Sequence, residues 1–169
     1  GIHNYKNISL AILASMQAGV SFSICINAIK KFKGVKRRME KVENKGMLQI
    51  YDDFAHHPTE IESSIKSLKE NFRGEKILSI CEIKSHSMIS GTHKKDLPIA
   101  LGYSHYSIII KPPLLKWTLS SKDKNLYVVD SYDKAIEFIS KIRNKIDIIL
   151  IMSNKSTVNL RSYIKNEKN

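Results

Sequence analysis

The sequence predicts an α/β fold, a mainly parallel sheet of about six strands with helices on both faces, preceded by a short helical segment. Three observations predict it. Short continuous apolar runs such as KILSICEI, HYSIII and DIILIMSN have the length and composition of strands covered on both sides. The stretches between them carry apolar residues at helical spacing, and strands alternating with helices are the pattern of a parallel sheet. The 169 residues make one ordinary domain with a fragment of another, enough to bury a real core.

Each element follows in order. From Asn7 to Phe32, apolar residues recur at helical spacing (Ile8, Ala11, Ile12, then Phe22, Ile26, Ile29), with Gly19 as the stop between two helices. Gly34 punctuates, and the period changes to two: Met39 to Asn44, a turn at Lys45-Gly46, and Met47 to Asp52 read as a β-hairpin. A domain boundary is placed near Gly34. Pro58 opens a helix whose Thr59 to Asn71 stretch puts Ile61, Ile65 and Leu68 on one face. Lys76 to Ile83 is a buried strand, His93 to Gly102 a short helix, and His105 to Pro113 a strand stopped by two prolines. NLYVVDS is a strand, Tyr132 to Arg143 a helix, Asp147 to Asn154 a strand, and Thr157 to Lys168 a terminal helix. In such sheets ligands sit at the carboxyl ends of the strands, where YDDFAHHP, IKSHSM and MSNKST could share one edge.

Composition excludes several classes. Hydrophobic residues at 42% and charged residues at 26% describe a soluble globular protein, and no apolar run approaches the roughly 18 residues of a membrane span. Gly1 is no initiator, and the opening residues lack a basic region before their apolar stretch. The expectation is a segment of a longer protein without a signal peptide. Cys25 and Cys81 form no CxxC, which argues against a disulfide framework or zinc ribbon and fits a reducing cytoplasm. The net charge of +12, from 28 Lys+Arg against 16 Asp+Glu, favours anionic partners. Lysine is mostly scattered, and the dense run Lys30 to Arg38 reads as a nucleic-acid patch or a solvated helix end, the second being favoured because cations suit a helix C-terminus. Aromatics are 8%, with no RNP-like or helix-turn-helix pattern, so a nucleic-acid partner is not expected.

YDDFAHHPTE, Tyr51 to Glu60, crowds two carboxylates and two imidazoles in front of a helix. Free N–H groups and the helix dipole attract anions there, making a phosphate or carboxylate site. On the other reading Asp53 caps a turn and the histidines are surface residues; the stretch alone leaves the two open. A metal is not expected, because His56 and His57 point in different directions and no ligand spacing follows.

Three motifs in order remove the ambiguity. GIHNYKN fits GxHNxxN, GVKRRME fits GxxRRxE, and YDDFAHHPTE follows at the expected distance. The set resembles the Mur ligase family, ATP-dependent amide ligases of peptidoglycan synthesis. Residues 1–33 then match the helical end of the central ATPase domain, and 34–169 the Rossmann-like C-terminal domain. DDFAHHPTE is similar to both the alanine-adding branch and the branch that joins UDP-N-acetylmuramate to the tripeptide L-Ala-γ-D-Glu-meso-Dap in peptidoglycan recycling; its phenylalanine, SHSM and KPPLLKW favour the recycling branch. The alanine-adding branch is the alternative, and a basic nucleic-acid-binding domain, favoured by the net charge of +12, is the alternative of another class.

The resemblance implies a bacterial cytoplasmic enzyme in which ATP phosphorylates the muramoyl carboxylate and an amine attacks the acyl phosphate. Such catalysis is mostly positioning and charge neutralisation. It implies that His3, Asn4 and Asn7 face the nucleotide, that Arg38 reaches its phosphates, and that Asp53 binds the ribose while Asp52 serves the turn or solvent. Arg38 and His57 are the implied catalytic pair; His56, His57, Lys84, Ser85, His86 and Ser87 border the substrates. The chain has no GxxxxGK[ST]. The resemblance therefore places the ATP loop, the Mg2+ ligands and the UDP-sugar domain elsewhere in the same protein, and the segment alone is expected to be inert. Two departures stand out. Lys84 and His86 replace the family's arginine and asparagine, turning a bidentate contact into a point charge. Lys155 to Val158 replaces a glycine-rich loop.

Overall fold

In a computed structural model the alternating runs become a sheet and its covering helices, with residues 2–45, 48–119 and 123–166 described. The chain divides into two compact units, Gly1–Val35 and Lys36–Asn169.

The first unit is a helical pair, α1 (Ile2–Gln17) and α2 (Phe22–Lys31). Gly19, at φ +86°, makes the reversal between them in a conformation that costs glycine least. Cys25 is buried in this pair, but Leu10, Leu13, Phe22, Ile24 and Phe32 are each more than half exposed. Lys30 and Lys31 lie in the last turn of α2, where cations suit the helix dipole.

In the second unit, β1 (Glu40–Lys45) pairs antiparallel with β2 (Leu48–Asp53), giving the expected hairpin; Gly46 and Met47 lie outside the described residues. The remaining elements are α3 (Pro58–Asn71), β3 (Ile77–Glu82), α4 (His86–Ile89), α5 (Asp96–Leu101), β4 (Tyr106–Ile110), β5 (Leu126–Val129), α6 (Tyr132–Ile142), β6 (Ile148–Met152) and α7 (Val158–Asn166). Among the described residues the sheet has six strands in the order β1-β2-β6-β3-β4-β5, and all but β1 run parallel. The mostly parallel α/β class read from the sequence is the class observed. The helix expected over His93 to Gly102 is shorter, and α4 precedes it.

Burial follows the pleat. Along β6, Ile148, Leu150 and Met152 join a core with Ile61, Ile65 and Leu68 of α3 and Leu97 and Leu101 of α5; Ile149 and Ile151 join the opposite core with Ala135 and Ile139 of α6 and Leu160 and Ile164 of α7. α3, α4 and α5 thus cover one face, and α6 and α7 the other. The register sets Asp53 beside Met152, and Met152 beside Cys81, so the three strands β2, β6 and β3 end together.

Candidate active-site rim at the carboxyl ends of the strands

The rim begins at a turn before β1. Arg37 and Met39 both have positive φ, +56° and +50°, unusual for residues with a side chain. Arg37 is tied down: its Nη2 donates to the Ser153 carbonyl and its Nε lies 3.4 Å from Asp52 Oδ2. Arg38 is exposed, its guanidinium 5.5 Å from the centre of the Phe54 ring, which also carries Arg37 at 5.3 Å. The ring face attracts both cations.

β2 delivers the two aspartates to opposite sides, as successive strand residues must be. Asp53 is 4% exposed; its Oδ2 accepts from the Met39 N–H (2.7 Å), and its Oδ1 from the Ala55 N–H (2.9 Å) and the Ser64 hydroxyl (3.1 Å). Asp52 serves neither turn nor solvent, correcting the expectation. It is fully buried, accepts from Thr157 Oγ1 (2.6 Å), and lies between Arg37 and Arg161 of α7 (3.5 Å). Two cations and a hydroxyl compensate the burial of this carboxylate.

His57 is the N-cap of α3: its Nδ1 accepts from the Thr59 N–H, while the Glu60 carboxylate accepts from the His57 and His56 N–H groups. An accepting Nδ1 leaves Nε2 as the protonated nitrogen of the neutral ring. The exposed His57 ring meets His93 edge-on at 4.4 Å. His56 turns away, its Nδ1 3.0 Å from the Phe54 carbonyl.

At the end of β3 the sequence reading missed a buried acid. The Glu82 carboxylate is fully buried, and its Oε1 accepts from Tyr132 (2.6 Å) and Lys84 (2.7 Å). Burial opposes the charge on Lys84, but hydrogen bonds to Glu82 and Tyr132 and the acid's negative charge outweigh it, so the ammonium's pKa is raised. Burial chiefly, and then Glu82, raises the Tyr132 phenol. Ser85 is the buried N-cap of α4, accepting from the Met88 N–H and lying 3.4 Å from Ser87 Oγ; His86 is exposed. A glutamate inside the apolar run KILSICEI was the available signal for Glu82; nothing local marked Tyr132, fifty positions away in sequence.

Asn4 and Asn7 lie exposed on α1, three residues apart and so on one side of that helix, within the first unit. The side chain of His3 is outside the described residues. All the other predicted site residues belong to the second unit: Arg38 precedes β1, Asp53 ends β2 with His56 and His57 just after it, and Lys84, Ser85, His86 and Ser87 follow β3 and open α4. Four buried polar atoms at this end of the sheet, Arg37 Nε, Asp52 Oδ1, Glu82 Oε2 and Asn154 Oδ1, have no hydrogen-bond partner among the described residues.

A parallel sheet with charged side chains gathered at its carboxyl edge is the class of an α/β ligand-binding domain. The family model described as Mur ligase, glutamate ligase domain, matches residues 37–155, and the chain belongs to the Mur ligase family. It is 33% identical over 162 residues to a UDP-N-acetylmuramate–L-alanyl-γ-D-glutamyl-meso-2,6-diaminoheptandioate ligase of Haemophilus influenzae, covering 92% of this chain and 36% of that protein. To a UDP-N-acetylmuramate–L-alanine ligase of Pelagibacter ubique it is 30% identical over 143 residues, 85% of this chain and 30% of that protein. The crystal structure of a murein peptide ligase from Psychrobacter arcticus superposes with a TM-score of 0.73 at 29% identity, over 100% of this chain and 38% of that one. The chain therefore spans about a third of the length of these relatives. No helix among the described residues is long and apolar enough to cross a membrane.

Proposed function

We propose that this chain is the C-terminal part, with the helical end of the central domain in residues 1–33, of a bacterial cytoplasmic ADP-forming ligase. The enzyme joins UDP-N-acetylmuramate to L-Ala-γ-D-Glu-meso-Dap for peptidoglycan recycling. The similarity to the Haemophilus and Psychrobacter proteins supports the peptide as the amine substrate. ATP supplies the phosphoryl group that activates the muramoyl carboxylate. This chain's residues bind and orient: Arg38 neutralises phosphate charge, Asp53 takes a ribose hydroxyl, Asn4 and Asn7 with His3 line the nucleotide, and His57 offers its Nε2–H at the reacting end. A carboxylate has about four acceptor positions, so Asp53, holding three donors, has room for one more. His56, Lys84, Ser85, His86 and Ser87 border the peptide. Mg2+ is assigned, by the family resemblance, to ligands in the rest of the enzyme.

The observation that carries this reading is the contrast between neighbouring arginines. Arg37 is consumed by Ser153 and Asp52, whereas Arg38 is exposed on the Phe54 ring and available to an anion. In the full-length protein, Arg38→Ala should lower kcat/KM for ATP by roughly a hundredfold or more, the usual loss of a charge-assisted contact in a closed site. Arg37→Ala should cost less in rate. Equal, small effects of the two would remove the assignment. Similarity to the Pelagibacter protein favours a second reading, an enzyme that adds L-alanine; competition between tripeptide and L-alanine in one assay decides between them.

A further inference from the structure

The turn that presents Arg38 is strained on both sides. Arg37 and Met39 adopt φ values of +56° and +50°, and neither is a glycine. Such conformations persist only where the surroundings over-determine them, and they cluster where a side chain must be aimed. Here the surroundings are two carboxylates. Glu40 Oε2 accepts from the Arg37 N–H at 2.8 Å, and Asp53 Oδ2 accepts from the Met39 N–H at 2.7 Å. A third bond, from the Phe54 N–H to the Arg37 carbonyl (2.8 Å), ties the turn to the end of β2. The peptide unit after Arg38 is therefore held by a charge-assisted bond to Asp53, the unit before it by the Phe54 N–H, and the unit before Arg37 by a charge-assisted bond to Glu40, while the Arg38 side chain stays exposed.

We propose that Glu40 and Asp53 are positioning residues that clamp the strained turn and so aim the Arg38 guanidinium; Glu40 is outside every role assigned above. The proposal rests on Arg38 being the phosphate contact. The clamp needs an oxygen acceptor opposite each N–H and needs no ligand. Its effect on catalysis passes through Arg38. A flexible turn would leave the guanidinium to find its place anew in each catalytic cycle, weakening the preorganised stabilisation of developing charge.

A double-mutant cycle in the full-length ligase tests this. Glu40→Ala is expected to lower kcat/KM for ATP about tenfold or more in the otherwise natural protein, and less than about twofold when Arg38→Ala is already present. Glu40→Gln keeps a carbonyl acceptor for the Arg37 N–H and should stay within about threefold of the natural rate. Asp53→Ala, which removes the acceptor for the Met39 N–H, should couple to Arg38→Ala in the same sense. If Arg38→Ala has no effect, the functional reading fails. If it cripples the enzyme while Glu40→Ala costs the same factor in both backgrounds, the clamp is overturned and the functional reading stands. Glu40→Gln as damaging as Glu40→Ala would also overturn it, since charge, not the acceptor, would then matter. Should Glu40→Ala not fold, amide hydrogen exchange in the unsubstituted protein decides: slow exchange at Arg37 and Met39 is expected, and open-loop rates there overturn the clamp.

Discussion

Asp52 and Asp53 are adjacent in β2 and face different worlds, Asp53 toward the turn and α3, Asp52 toward α7. The alternation of strand side chains was legible in the sequence, but not what would come against Asp52. Thr157 and Arg161 arrive from the far end of the chain, and no local pattern announces them. His105 shows the same dependence on distant residues. Its Nδ1 accepts from the Ile77 N–H (3.0 Å), and burial, aided by the charges of Lys76 and Lys69, lowers its pKa from the ordinary 6.5. The unfolded chain takes up this proton near pH 6.5 and the folded one only below that value. The contribution to stability is therefore fully present above the unfolded pKa and is lost as pH falls toward the folded one. Urea midpoints measured at pH 7.5 and 5.5 should fall with pH, and His105→Asn should make that fall shallower. An unchanged slope in the variant would rule out His105 as its source.

Elements were legible where their patterns were long. The continuous apolar strands, and α3 with Ile61, Ile65 and Leu68 on its buried side, needed no tertiary information. α4 was not legible, since HSMI is too short to show a helical period and owes its shape to the Ser85 cap. The role of KPPLLKW was hidden too. Trp117 donates to the Ile89 carbonyl (2.9 Å), and its ring lies so close to Gly91 that a Cβ there would stand 2.8 Å from Cδ1. Gly91 also has φ +81°. Gly91→Ala should therefore destabilise the protein by about 1–2 kcal/mol from the backbone alone, with more from displacing the ring. Trp117 is the one tryptophan, so its emission should shift to the red as the urea midpoint falls. If neither changes, the seat of Trp117 on Gly91 does not hold these elements together.

At the scale of the whole molecule, both apolar cores lie within Lys36–Asn169. A chain of residues 36–169 should keep one cooperative urea transition with a midpoint close to that of the longer chain; loss of cooperativity would show that the cores need residues 1–35. Exposed Leu10 and Leu13 add apolar surface without adding to those cores. Replacing both with glutamate should raise solubility and leave the midpoint unmoved. The strand order has a further consequence, for the newborn chain. β6 lies between β2 and β3, yet it is synthesised after the five other described strands of the sheet. Until it emerges from the ribosome, β2 and β3 are two open edges, each offering unpaired backbone to a neighbouring chain. A polypeptide that stops short of Ile148 would keep both edges bare and invite aggregation. The sheet closes from its middle, late and over long sequence separations, which makes slow folding and an early need for chaperones the natural companions of this topology.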